Sequence, residues 1–151
     1  MNFRITNDGN LSDIDEIYNM LKSYNLSNRE KSENIPLGVY YENEAGKKLA
    51  GLTGETFGNW LCIKYLFVSE NLRNQGIGRK IVISAENEAR NRGCKYVFVD
   101  TFSFQAPAFY EKLGYRCVFS LTNYPYTGAR YYYITLKNYK IIYKFQLFTN
   151  R

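Results

Sequence analysis

The feature that most restricts how this sequence can fold is a strand that runs into a glycine-marked turn and out again as a helix. Trp60–Val68 is a run of apolar and aromatic residues broken only by Lys64, and Ser69-Glu70-Asn71-Leu72-Arg73-Asn74-Gln75-Gly76-Ile77-Gly78 follows it. Beyond Gly76 the apolar residues Ile77, Ile81, Ala85 and Ala89 recur every fourth residue until Gly93, which predicts a helix with a glycine just past its end. Gly76 and Gly78 let the main chain come close to a ligand, and the amides of a helix's first turn carry the positive end of its dipole. With Arg73, Arg79 and Lys80 alongside, the segment reads as an anion site suited to phosphate oxygens. The spacing is not the Gly-x-x-x-x-Gly-Lys-Ser/Thr of nucleotide hydrolases, and the third glycine of the dinucleotide fingerprint is missing. Nucleotide hydrolysis and NAD binding are therefore disfavoured.

Around this segment the chain alternates between the two periodicities. Phe3-Arg4-Ile5 reads as a short strand, and Ser12 with Asp15 forms a capping-box pattern ahead of Ile14, Ile17, Tyr18 and Leu21, predicting a helix over residues 13–24. Residues 25–34 lack periodicity and read as either a surface loop or a short second helix lining a cleft. Residues 37–42, 49–57 and 60–68 read as strands of an antiparallel meander, the first two joined by the turn-forming Asn43-Glu44-Ala45-Gly46. The apolar run Tyr96-Val97-Phe98-Val99, closed by Asp100, reads as a strand buried on both faces near the sheet centre. Pro107 and Gly114 bracket a short helix over 105–113, and residues 115–121 and 131–137 read as a closing strand pair. The sum is one α/β (α+β) domain over residues 1–151, ordered β-α-β-β-β-α-β-α-β-β. Residues 138–151, which contain Ile141, Ile142, Tyr143, Phe145, Leu147 and Phe148, form a C-terminal extension that either prolongs a strand or packs on a second subunit.

Composition narrows the chemistry. With 151 residues and 45% hydrophobic content the chain can build one core. No eighteen apolar residues run together and the start, Met1-Asn2-Phe3-Arg4, lacks a secretory signal's apolar stretch, so a cytoplasmic protein without a membrane span is expected. There is no histidine, which excludes Ser-His and Cys-His nucleophilic machinery. Cys62, Cys94 and Cys117 have no paired-ligand spacing and read as reduced, buried thiols, so no metal site is expected. Residues 1–70 carry a formal charge of −3 and residues 71–151 one of +9, a basic half that suits a polyphosphate ligand or a nucleic acid.

Arg73-x-x-Gly76-x-Gly78, following a strand that ends Leu66-Phe67-Val68, resembles the pyrophosphate-binding signature of the GNAT superfamily of N-acetyltransferases. About thirty residues on, Ala106-Pro107-Ala108-Phe109-Tyr110-Glu111-Lys112-Leu113-Gly114-Tyr115 is similar to that superfamily's second signature, and the two in order are far more specific than either alone. The resemblance implies a central mixed, mostly antiparallel sheet flanked by helices and splayed between its fourth and fifth strands, residues 61–68 and 96–101 forming the lips. It implies acetyl-CoA as cosubstrate and no metal. The pantetheine arm would bond to the backbone of Leu66, Phe67 and Val68, and the pyrophosphate would rest on the amides of Arg73, Asn74, Gln75, Gly76, Ile77, Gly78 and Arg79. Tyr110 matches the tyrosine thought to serve the superfamily as general acid, and an amide near Phe67 or Val68 would face the developing oxyanion. The superfamily often has Asn three residues before the signature Ala, whereas this chain has Ser103.

The expected function is transfer of an acetyl group from acetyl-CoA to a primary amine, with a small-molecule acceptor favoured over a protein, no nucleic-acid or membrane partner, and a homodimer compatible with the extension. A non-catalytic acyl-CoA-binding sensor is the alternative, and a nucleic-acid-binding module is the weakest reading, because the basic residues cluster at a glycine loop and not along a stripe. Glu55 could accept the amine's proton but reads more readily as a solvated or salt-bridged carboxylate, and Asp100 reads as a turn cap. Trp60, Phe57 and Tyr40 read first as packing residues and second as acceptor-pocket walls.

Overall fold

The computed structural model describes residues 3–135, and the extension over 138–151 lies outside the described residues. Residues up to Ser32 and residues from Glu33 onward form two separately compact units.

The first unit is built on one helix, α1 (Leu11–Asn28). Its N-cap is Asn10, whose side-chain oxygen accepts the Ser12 N–H at 2.9 Å, so capping begins two residues before the Ser12 pattern suggested. The helix also runs a turn further than its apolar spacing indicated. Asn28 Nδ2 donates to the Tyr24 carbonyl at 2.8 Å, and Ser27 Oγ to the Ser23 carbonyl at 3.3 Å, so both polar side chains fold back on the last turn. Residues 25–28 thus continue α1 and form no second helix, while residues 29–34 are without helix or strand. Phe3, Arg4 and Ile5 form no strand, so the sheet begins later than expected.

Among the described residues the second unit is a six-stranded sheet with two helices and a 3-10 turn. Its strands are β1 (Ile35–Glu42), β2 (Lys48–Phe57), β3 (Trp60–Val68), β4 (Tyr96–Phe102), β5 (Arg116–Thr122) and β6 (Ala129–Thr135). They lie in the order β1-β2-β3-β4-β6-β5, every pair antiparallel except β3 with β4. Helix α2 (Ile77–Asn91) packs on β1, β2 and β3, and helix α3 (Pro107–Lys112) leads into β5. Alternate residues of β2, β3 and β4 are buried, among them Leu52, Leu61 and Val99, and they meet Ile81, Val82, Ala85 and Ala89 of α2. Full burial of a side chain such as Leu52, Leu61 or Val82 is worth about 1.5–3 kcal/mol. β4 lies between β3 and β6, as a central strand should, but it is buried on one face only. Val97, Val99 and Thr101 are buried, while Tyr96, Phe98 and Phe102 on the other face are half-buried and covered in part by neighbouring rings.

The sheet opens between β3 and β4, which corresponds to the expected splay once the missing first strand is discounted. Pairing runs through Trp60↔Tyr96, Leu61↔Val97 and Cys62↔Phe98 and then stops, although both strands continue. Opposite this point β2 and β3 shift register between Thr53 and Gly54: Gly54 faces Ile63, Thr53 faces Tyr65, and Lys64 is the extra residue. A bulge of this kind bends and twists its strand. Here it turns the far half of β3 away from β4.

Candidate active site

A cleft of about 1140 Å³ occupies the opening, walled by the ends of β3 and β4, the loop after β3, the start of α2, and α3. On the β3 side Leu66, Phe67 and Val68 line it, paired on their other edge with Leu52, Gly51 and Ala50 of β2. Their edge toward β4 has no strand partner, because the ladder to β4 ended at Cys62.

The loop that follows is shaped by its own hydrogen bonds. Ser69 N–H and Oγ–H both donate to the Leu49 carbonyl, and a 3-10 turn, Glu70–Leu72, carries the chain round. Arg73 Nε donates to the Val68 carbonyl at 3.1 Å, fastening the loop to the strand end. Asn74 and Gly76 then take left-handed conformations, φ 61° and 78°, of which the second is cheap only for glycine. In α2 the first main-chain bond is Lys80 N–H to the Gly76 carbonyl at 3.1 Å. The N–H groups of Gly76, Ile77, Gly78 and Arg79 precede it and are those that helix geometry leaves without an intrahelical acceptor. Gly78 has a second role: a Cβ there would lie 3.4 Å from the Phe109 ring and from Val68, so its bareness lets α2 start against both lips.

Of the residues anticipated for the coenzyme, Leu66, Phe67, Val68, Arg73, Asn74, Gly76, Ile77, Gly78 and Arg79 line the cleft. Gln75 does not: its side chain turns back, Nε2 donating to the Asn71 carbonyl at 2.7 Å. The Arg73 amide is not bare either, since it donates to the Glu70 carbonyl at 3.2 Å and closes the 3-10 turn. The amides without a main-chain acceptor therefore begin beyond Arg73.

Tyr110, on α3, also lines the cleft while remaining 5% exposed. Phe109, Tyr115 and Tyr133 surround its ring, at centroid distances of 5.2, 5.5 and 6.1 Å. Its hydroxyl makes no hydrogen bond with any described residue. Burial, with a smaller contribution from the nearby Asp100 charge, pushes its pKa up to about 12, so the phenol stays protonated well above neutrality. Pro107 at the first turn and Gly114 (φ 86°) past the end fix α3, and Tyr133 Oη donates to Glu111 at 2.7 Å.

Other candidates fall outside the cleft. Glu55 is ion-paired with Lys64 at 2.8 Å. Trp60 stacks near Tyr96, and Tyr40 lies across Gly38 and Gly51. Ser103 Oγ accepts the Ala129 N–H at 3.1 Å, so it ties β4 to β6. The cysteines are free, but only Cys94 is buried; Cys62 is half-buried and Cys117, on the edge strand β5, is exposed. No group of three or more potential metal ligands occurs among the described residues.

Sequence reasoning missed two features. Asp100 does not cap a turn; it lines the cleft and its Oδ2 accepts from Arg130 Nε at 2.7 Å. Gly54 creates the bulge, and its one available signal was a glycine inside a run of strand-forming residues.

Residues 10–115, most of the chain, match the family described as Acetyltransferase (GNAT) family. The chain belongs to the GNAT family of acetyltransferases. It is 35% identical over 121 residues to acetyltransferase Atu2258 of Agrobacterium fabrum, a match covering 80% of this chain and 88% of that one. It is 38% identical over 94 residues to blasticidin-S acetyltransferase of Streptomyces morookaense, covering 60% and 69%. The crystal structure of an acetyltransferase from Bacillus cereus superposes with a TM-score of 0.79 at 30% identity, covering 88% of this chain and 96% of that one. Structures of the GNAT fold have been solved with acetyl coenzyme A and with coenzyme A.

Proposed function

We propose that this protein transfers an acetyl group from acetyl-CoA to a primary amine, with Tyr110 as general acid. The observation that carries the reading is that one cleft is lined both by the first-turn residues of α2, whose amides lack a main-chain acceptor, and by Tyr110. When bound, acetyl-CoA would supply the activated acyl carbon and a thiolate leaving group. Gly76, Ile77, Gly78 and Arg79 offer amides, and Arg73 and Arg79 offer cations, to the pyrophosphate. The unpartnered edge of Leu66, Phe67 and Val68 offers strand-like hydrogen bonds to the amide-bearing arm, and an N–H of Phe67 or Val68 would stabilise the charge that the carbonyl oxygen gathers.

Tyr110 supplies the proton side of the chemistry. With a pKa about 12, well above that of an ordinary thiol near 8.5, the phenol acts first as a hydrogen-bond donor to the departing sulfur. A small-molecule acceptor is preferred, a reading supported by a relative named for acetylation of blasticidin S. The test is incubation with acetyl-CoA and a panel of primary amines, followed by titration of released thiol. Amine-dependent thiol release is expected; tight coenzyme binding without release for any amine would return the protein to the acyl-CoA sensor class.

A further inference from the structure

The cleft's charged lining is lopsided. Lys64, Arg73, Arg79 and Lys112 face it, and among the described residues Asp100 is its single carboxylate. The cations of the glycine loop follow β3, whereas Asp100 stands on β4, the opposite lip. An anionic ligand is drawn to the first group and an ammonium is repelled from it, which leaves Asp100 as the place where a cation can lie in this space.

Asp100 is also held in an unusual way. Its Oδ2 accepts from Arg130 Nε at 2.7 Å across the β4–β6 ladder, while its Oδ1 takes no hydrogen bond from any described residue. The Arg130 guanidinium lies within 5.4 to 5.7 Å of the ring centres of Phe102, Tyr124 and Tyr132, and its NH1 donates to Tyr124 Oη at 3.4 Å. Three rings thus share the arginine's charge and fix its plane. A guanidinium so restrained pins one carboxylate oxygen in place and leaves the second open to a further donor, as a carboxylate's four lone-pair sites permit. Tyr110, which lines the same cleft, lies close enough for the Asp100 charge to act on its phenol.

We infer that Asp100 is the acceptor-binding residue of the cleft, receiving the ammonium of a cationic amine on Oδ1, and that Arg130, held by Phe102, Tyr124 and Tyr132, is its positioning residue. The inference rests on the acetyltransferase reading above and names its substrate class: primary amines that dock as the ammonium on Asp100 and then release one proton to solvent water, so that the neutral nitrogen attacks the thioester carbon.

The test uses the best alkylamine from the panel and its aminooxy analogue, which has the same skeleton but a nitrogen that is neutral at pH 7.5. For D100N, the KM of the alkylamine should rise about tenfold or more, the worth of a charge-assisted hydrogen bond, while that of the aminooxy compound shifts less than twofold. D100E, which keeps the charge, should retain the preference for the alkylamine. Arg130→Lys should raise the alkylamine KM by a smaller factor, because an ammonium can still pair with Oδ2 but lacks the planar group that bonds Asp100 and Tyr124 together. Melting temperature and acetyl-CoA affinity of each variant are to match the unsubstituted protein; should D100N not fold, Asp100→Ser gives the same comparison. Equal changes for the two acceptors, or none, overturn the assignment while leaving the acetyltransferase reading intact. If the unsubstituted protein releases no thiol with any amine, that reading falls first and this one with it.

Discussion

Gly54 and Cys62 touch backbone to backbone: a Cβ on Gly54 would lie 2.4 Å from the Cys62 carbonyl oxygen. No side chain can yield to relieve that contact, so Gly54→Ala must push β2 and β3 apart at the bulge where β3 leaves β4. A stability loss of about 1–3 kcal/mol is expected in urea unfolding, together with weaker acetyl-CoA binding by calorimetry. Unchanged binding would mean that the bulge does not set the width of the cleft.

Gly76 offers a cleaner separation of backbone from bulk. Nothing lies within 4 Å of a Cβ placed there, so the cost of Gly76→Ala comes only from its φ of 78°. About 1 kcal/mol is expected, with reduced coenzyme affinity as the loop relaxes. Gly76→Asn, whose side chain tolerates the left-handed region, should recover part of both losses. Equal damage from Ala and Asn would contradict the conformational explanation.

For Tyr110→Phe we expect amine-dependent thiol release to fall by about 10²–10⁴, as loss of a positioned acid does, with coenzyme affinity unchanged within about twofold. The ring stays packed among Phe109, Tyr115 and Tyr133, so the fold should survive. Full activity in this variant would remove Tyr110 from the mechanism.

Alkaline stability gives an independent check on the same phenol. Its pKa is raised from 10.0 to about 12 in the folded chain, so the folded state holds the proton more tightly than the unfolded one. The resulting stabilisation is complete below pH 10 and is lost as pH climbs toward 12; two units are worth up to about 2.7 kcal/mol. Urea midpoints measured from pH 9 to 11.5 should fall in the unsubstituted protein and fall less steeply in Tyr110→Phe. Parallel slopes would show that Tyr110 titrates as an exposed phenol does.

The strands and helices of the second unit were legible because their signals are local. Ile77, Ile81, Ala85 and Ala89 mark one face of α2 by spacing alone, and Gly93 and Gly114 mark helix ends by the positive φ only glycine adopts easily. The glycine loop and Tyr110 could be picked out from residue order, and the structure brings them to one cleft. What escaped was non-local. Asp100 and Arg130 are thirty positions apart, and only the β4–β6 register makes them neighbours. Gln75 belongs to the same signature stretch as Gly76, yet its reach to the Asn71 carbonyl depends on a 3-10 turn with no clear sequence mark. The strand expected at Phe3 to Ile5 had too few residues to outweigh its context.

The bond from Arg73 Nε to the Val68 carbonyl joins the two parts of the cleft that the proposed binding mode assigns to chemically different ends of one long molecule. A loop tethered in this way is ordered when the chain folds, so the entropy of arranging it is not charged again to each ligand that arrives. In that binding mode, capture of the diphosphate end would set the alignment of the strand edge assigned to the thioester end, the two serving as a single rigid ruler.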